Sequence, residues 1–208
     1  MDFILNPNLV LYLPLYKLDG SSFMSKDACG HLCTVTGALW TPQGRKFDGT
    51  DDKIDCGNNS VLNPADAITI EVWVYDQTTA TEMLLSRGAR DGTYTGSYII
   101  RDGTGSLTFR LNDAAFVSNA VVVTQNKWEH VVFTYNKVSV IGYLNGVAGT
   151  PKAYATAIAS DNYATVLGWG HGAGYYYQGL IGECRIYNRA LTPIEIQSIY
   201  LATRWRYR

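Results

Sequence analysis

The stretch Ile68-Thr69-Ile70-Glu71-Val72-Trp73-Val74-Tyr75 alternates along its whole length. Successive side chains of an extended chain point to opposite sides. Ile68, Ile70, Val72 and Val74 therefore share one face, and Thr69, Glu71, Trp73 and Tyr75 the other. The same period of two recurs on both sides of this strand. Residues 83–86, 97–101 and 107–111 follow it, the last two joined by Asp102-Gly103, a hairpin-type turn. Residues 121–123, 129–135 and 138–144 continue the series to the tight turn Asn145-Gly146, and 165–167 and 181–187 close it. Upstream, residues 53–56 make a short strand and 9–15 another, with Pro14 suited to a strand end or a sheet edge. Residues 20–46, rich in turn formers and small side chains, read as a long irregular connection.

About a dozen short strands at spacings of roughly 8–12 residues predict an all-β fold, an antiparallel β-sandwich of jelly-roll type. One short C-terminal helix is added. Thr192-Pro193-Ile194-Glu195 is a capping box with Pro at the first helical position, and Ile194, Ile196, Ile199 and Tyr200 supply two or three turns that pack on the sandwich. The tail Arg204-Trp205-Arg206-Tyr207-Arg208 reads as a solvated or sheet-docked terminus. No shift in composition divides the chain, so residues 1–208 read as a single domain.

Charged residues make 17% of the 208, against roughly 25% in soluble domains generally. Seventeen basic and eighteen acidic side chains leave a net charge of -1, which argues against nucleic acid as a partner, since phosphate binding needs a strong basic field. No run approaches the eighteen apolar residues of a membrane span. The start Met1-Asp2-Phe3-Ile4-Leu5-Asn6-Pro7 lacks the basic n-region and cleavage site of a secretory signal. The expected setting is extracellular or virion-associated, reached by lysis, by assembly, or with a signal already removed. The excess is in Tyr, at fifteen, and Gly, at twenty.

The ordered set of Gly37, Phe47-Asp48-Gly49-Thr50-Asp51-Asp52, the 68–75 strand, Trp128-Glu129-His130-Val131-Val132-Phe133-Thr134-Tyr135, Tyr143-Leu144-Asn145-Gly146-Val147 and Gly182-Glu183-Cys184-Arg185-Ile186-Tyr187 resembles the concanavalin A-like lectin/glucanase superfamily, in its laminin G-like branch. The resemblance covers nearly the whole chain and implies a concanavalin A-like sandwich. Sugar-binding modules, adhesion modules and glycosidases all use that fold, so it does not by itself choose a function. Trp73, Trp128 and Tyr187 read as structural, and Arg185 as the partner of a carboxylate.

A glycosidase needs two carboxylates flanking the scissile bond, about 5–5.5 Å apart for retention. Laminarinase-like relatives supply them from one strand as Glu-x-Asp-x-x-Glu; none of the five Glu here begins that motif. Glu71 is the best single acid, and a pairing with Arg is its favoured role. His130 reads as a structural histidine, and His31 and His171 sit in no hydrolase motif. The chain is therefore read as no enzyme, with glycoside hydrolase or polysaccharide lyase a distant third function.

For metals, Asp48, Asp51 and Asp27 are the set that would hold a structural calcium. Many relatives add an Asp on the last strand, where this chain has Gly182 and Glu183; an Asp-Gly turn capping its own backbone competes evenly. Cys29-Gly30-His31-Leu32-Cys33 invites zinc, but lacks paired Cys-x-x-Cys units. A Cys29–Cys33 loop disulfide or free thiols rank higher. The resemblance also implies that Cys56 and Cys184 lie on neighbouring strands, a checkable disulfide pair.

Sugar recognition needs aromatic faces and a few polar groups. The Gly-rich loop Trp169-Gly170-His171-Gly172-Ala173-Gly174-Tyr175-Tyr176-Tyr177-Gln178 offers both, and Tyr94 with Asp91 offers a second loop. The expected function is a non-catalytic, lectin-like glycan-binding or adhesion module acting through Trp169, His171, Tyr175, Tyr176, Tyr177, Gln178, Tyr94 and Asp91. The alternative is a structural interaction protein, a virion or surface-layer decoration unit, that turns the same tyrosines toward a protein surface or a second copy of itself.

Overall fold

The computed structural model describes residues 6–90, 94–103, 105–112, 121–172 and 174–208. In chain order the first strands are β1 (Leu9–Leu13), β2 (Ser22–Met24), β3 (Leu32–Thr36), β4 (Leu39–Thr41), β5 (Gly44–Asp48), β6 (Lys53–Asp55) and β7 (Ile68–Asp76). The middle of the chain gives β8 (Glu82–Arg90), β9 (Tyr94–Asp102), β10 (Ser106–Leu111), β11 (Val121–Val122), β12 (Trp128–Tyr135) and β13 (Ser139–Leu144). Then come β14 (Val147–Ala148), β15 (Lys152–Ala153), β16 (Val166–Leu167), β17 (His171–Gly172), β18 (Gln178–Tyr187) and helix α1 (Pro193–Thr203).

Among the described residues these strands form two sheets. The first runs β14-β13-β12-β7-β18-β5-β4, with β1 also on β18 and β15 on β13; the second runs β11-β10-β9-β8-β16-β6-β3-β2, with β17 beside β8. Every pairing is antiparallel except β17 with β8. The core between the sheets takes Ile68, Ile70, Val72 and Val74 from the first and Ile54, Leu84, Ile100 and Phe109 from the second.

The alternation in β7 assigned its two faces correctly, but most of the outer face does not meet water. Thr69, Glu71 and Trp73 are buried as well. A second apolar cluster, with Tyr12, Val132, Tyr143 and Tyr187 under Leu191, Ile196 and Ile199, lies on that outer side. Helix α1 covers it. Thr192 Oγ1 accepts from the Glu195 N–H at 3.3 Å while Glu195 Oε2 accepts from the Thr192 N–H at 2.8 Å, the predicted capping box. Asn145 (φ 52°) and Gly146 (φ 80°) both occupy the left-handed region that a tight two-residue hairpin demands.

Residues 20–46 are not an irregular connection. They hold β2, β3, β4 and the start of β5. These strands are three to five residues long with polar or exposed side chains at alternate positions, so they carry too little apolar signal to read as strands. The tail docks on the sheet: Tyr207 is buried and stacks on Trp73 at 4.4 Å.

All four cysteines are free thiols. Cys29 is exposed in the turn before β3 and Cys33 is buried on β3, so no loop disulfide joins them. Cys56 follows β6 in the second sheet whereas Cys184 lies on β18 in the first, so the expected neighbouring-strand pair does not exist.

Candidate functional site

The Gly-rich loop after β16 folds back on itself. The Gly168 N–H donates to Leu84 O at 2.9 Å, Tyr177 N–H donates to Gly168 O at 2.9 Å, and Trp169 pairs with Tyr176 in an antiparallel bridge. Gly168 (φ 81°) is required, because a Cβ there would lie 2.4 Å from the Phe47 ring. The fold-back sets four half-buried rings in a row. Tyr163 and His171 are 5.4 Å apart, His171 and Trp169 4.8 Å, and Trp169 and Tyr176 6.0 Å at 18°. His171 Nε2 is 3.1 Å from Ala164 O. Lys53 Nζ stands 4.6 Å over the Trp169 ring. The structure thus brings together Trp169, His171 and Tyr176 and adds Tyr163 and Lys53.

Tyr177 is a correction. It is 1% exposed and packs on Phe47 in the core, because the pleat of β18 turns the residue before Gln178 inward. Tyr175 is half-buried and Gln178 exposed. Tyr94 opens β9 opposite Arg90; its side chain and the whole of Asp91 lie outside the described residues.

A second surface, unread in the sequence, lies on the outer face of the first sheet. Register places Trp128 opposite Tyr75, Tyr75 opposite Leu180 and Leu180 opposite Lys46. One residue from each of β12, β7, β18 and β5 makes a row about 14 Å long at the usual strand spacing. Above it opens a groove of about 670 Å³, walled by Tyr207 and Arg208 and rimmed by Gln43, Gln77, Asn126 and Lys127. Trp128 Nε1 donates to Gln43 Oε1 at 3.3 Å, and the Trp128 ring lies 5.6 Å from Tyr75 and 4.8 Å from Tyr207. Gly182 makes this wall: a Cβ there would lie 2.3 Å from the Tyr207 ring. It sits in a break of the β18 register between Ile181 and Cys184. Trp128, expected to be structural, is half-buried and lines the groove.

The carboxylates behave as ion-pair members. Glu71 is 1% exposed and bonded to Arg185, and His130 Nε2 donates to Glu71 Oε1 at 3.1 Å. Burial alone would raise the Glu71 carboxyl, but Arg185 and His130 outweigh it and hold Glu71 below the ordinary range. Arg185 also reaches Glu183 Oε2 at 3.0 Å, which takes a bond from the Tyr12 hydroxyl at 3.2 Å. Burial leaves Glu183 above its ordinary range. Both acids are buried, and Arg206 of the tail lies 3.6 Å from Glu183.

Asp48, Asp51 and Asp52 bring ligand oxygens within 4.8 Å of one another. Asp48 Oδ1 accepts the Thr50 N–H at 2.8 Å and Asp52 Oδ2 the Asp48 N–H at 2.9 Å. Burial, with Asp48 and Asp51 alongside, raises the Asp52 carboxyl. Asp27 does not join them. It groups instead with Cys29 and His31, and its oxygens accept the N–H groups of Tyr12, Cys29 and Gly30 at 2.9, 2.9 and 3.2 Å. His31 Nε2 is held by Val10 O at 2.8 Å. Of the expected calcium set, Asp48 and Asp51 therefore come together, with Asp52 as the third carboxylate in place of Asp27. Among the described residues no helix is long and apolar enough to cross a membrane.

Solved structures show the same fold. A Trypanosoma rangeli sialidase mutant with trans-sialidase activity matches over 99% of this chain and 34% of its own, at 18% identity and a TM-score of 0.76. The chain thus spans about a third of that enzyme's length. The binding domain of Paraclostridial Mosquitocidal Protein 1 matches over 94% of this chain and 52% of its own, at 16% identity and TM-score 0.74. Domain 4 of an extracellular arabinanase from Geobacillus stearothermophilus, solved with arabinotriose, matches over 93% and 98%, at 20% identity and TM-score 0.71. No curated protein sequence matches. Residues 48–197 fit the family model of the concanavalin A-like lectin/glucanases superfamily. With that match spanning most of two sheets of the required topology, the chain belongs to the concanavalin A-like lectin/glucanase superfamily.

Proposed function

We propose that the protein is a non-catalytic carbohydrate-binding module that takes an oligosaccharide along the groove over Trp128, Tyr75 and Leu180. The carrying observation is the row itself: two half-buried aromatics and an aliphatic side chain on three adjacent strands, with amides on the rim. Such a concave, largely apolar floor with a few polar groups is what sugar stacking and hydroxyl recognition require. The arabinanase domain solved with arabinotriose supports the ligand class. The burial of Glu71 and Glu183 supports the absence of glycosidase chemistry.

The ring row at Trp169 is the competing place for the same activity. There Lys53 and Tyr176 lie against the indole as Tyr75 and Tyr207 lie against Trp128, and what favours Trp128 is the groove that opens above its row. A glycan array followed by calorimetry on the best hit tests both, using Trp128→Ala and Trp169→Ala. Loss with the first alone supports the groove; loss with the second alone moves the site to the ring row. Release of reducing sugar from the bound glycan would overturn the non-catalytic reading.

Assembly through protein contacts is a second reading, favoured by a different surface. The edge strands β11 and β14 leave Val122 67% and Val147 71% exposed, beside a cleft of about 500 Å³. Among the described residues these are end strands of their sheets, and sheet edges with exposed apolar side chains template pairing with another chain. Light scattering that shows oligomers growing with concentration, and a monomer for Val122→Lys, would support it.

A further inference from the structure

We propose that Cys33 and Cys56 form a disulfide when the protein folds in an oxidising compartment. The pairing follows from register. Thr34 lies opposite Asp55, Val35 opposite Ile54 and Thr36 opposite Lys53. One step further along the same antiparallel ladder, Cys33 faces Cys56.

Main-chain bonding fixes the kind of pair. The Val35 N–H donates to Ser21 O, toward β2, and Cys33, two residues earlier, turns its own main chain the same way. The Cys56 N–H donates to Thr165 O at 2.9 Å, on the far side of β6. Neither cysteine spends its backbone on the other, so they form a non-hydrogen-bonded pair. In such pairs the Cα atoms approach to about 4.5 Å, inside the 4.4–6.8 Å window, roughly, that a disulfide spans.

The side chains agree. Cys33 and Cys56 are both buried in the core between the sheets. The Cys33 thiol and then burial hold the Cys56 thiol well above its usual range, so the two sulfurs sense each other directly. Cys184 is the nearest rival, but it sits on the opposite sheet, and facing sheets stand about 10 Å apart. Cys29 is exposed.

The chemistry needs an external oxidant, for which a small disulfide such as oxidised glutathione serves. One cysteine thiolate attacks it, forming a mixed disulfide and releasing one glutathione thiolate. The second cysteine then displaces the other. Two protons and two electrons leave the protein, and one disulfide becomes two thiols. Because both thiols are buried in the core between the sheets and burial beside Cys33 holds the Cys56 thiol protonated, exchange belongs to the folding chain, before the two sheets close over them. The bond would clip the second sheet and enclose β4, β5 and the Asp48–Asp52 turn in one covalent loop.

The test is refolding of the full chain in a glutathione redox buffer, then digestion without reductant and mass mapping. The expected product carries a Cys33–Cys56 linked peptide, two hydrogens lighter than the thiol pair, and melts on the order of 5–10 °C higher than the reduced protein. The Cys29→Ser, Cys184→Ala double variant should form the same link and show the same shift. A link from Cys56 to Cys184 or from Cys29 to Cys33, or four thiols still titratable after refolding to equilibrium, would overturn the proposal.

Discussion

Trp128 is the residue on which the binding surface turns. It opens β12, lies opposite Tyr75, and holds its Nε1 against Gln43. Replacing it with Ala removes the stacking face while leaving the core between the sheets untouched, since Trp128 is absent from that cluster. Affinity for the bound glycan should fall at least tenfold, about 1.4 kcal/mol, with circular dichroism unchanged. Glu71 makes the opposite case: a residue that resembles a catalytic acid in the sequence and supports the fold. Glu71→Gln leaves the buried Arg185 with Glu183 as its acidic partner, and should cost about 3 kcal/mol, or roughly 6–12 °C in melting temperature. Glycan affinity at a temperature where the variant stays folded should not change. A catalytic or sugar-binding Glu71 would give the reverse pattern.

Among the elements, α1 carries its own pH signature. Arg189 bonds Glu195 through both carboxylate oxygens, at 2.6 and 3.0 Å, and with the cap bonds of Thr192 holds that carboxyl down to about 2 despite partial burial. The folded value lies below the unfolded one of about 4.3. The stabilisation is therefore complete above about pH 4.3 and fades as the pH falls toward 2. The difference in melting temperature between the wild type and Glu195→Gln should be largest near neutrality and shrink across that window. Thr192→Ala, which removes the cap itself, should cost about 1 kcal/mol at pH 7. This helix was legible because capping chemistry is local: Thr192, Pro193 and Glu195 act within four residues. The long strands were legible for the same reason, their period being written in Ile68 to Val74. The β2–β4 segment was not, because strands of three to five residues with exposed Leu32 and Leu39 carry no such period. The inward turn of Tyr177 also escaped: three successive tyrosines look alike until the pleat of β18 fixes which one faces the core.

At the scale of the molecule, the sandwich carries two cores, and the groove opens on the same outer side of the first sheet as the second. The cluster between the sheets contains no residue after Ile186. The outer one depends on α1, and the groove beside it is walled by a tail that returns to Gly182, a contact that no local pattern in the sequence announces. Gly182 was the available signal, read as a lost metal ligand instead of as space for a ring. Deleting residues 204–208 separates these layers. It removes Tyr207 from Trp73 and Trp128, Arg206 from Glu183 at 3.6 Å, and one wall of the groove. The truncated chain should keep its β-sheet circular dichroism and a cooperative melt, because the inner core is intact. Its melting temperature should drop by several degrees, and its tryptophan emission should shift to the red of a full-length Trp205→Phe control as Trp73 meets water. Glycan binding should be lost if the groove is the site and retained if the Trp169 row is, since that row lies on the other sheet and touches nothing the deletion removes. A truncated chain that fails to melt cooperatively would mean that the two cores are one folding unit, and that the tail holds the sandwich itself together.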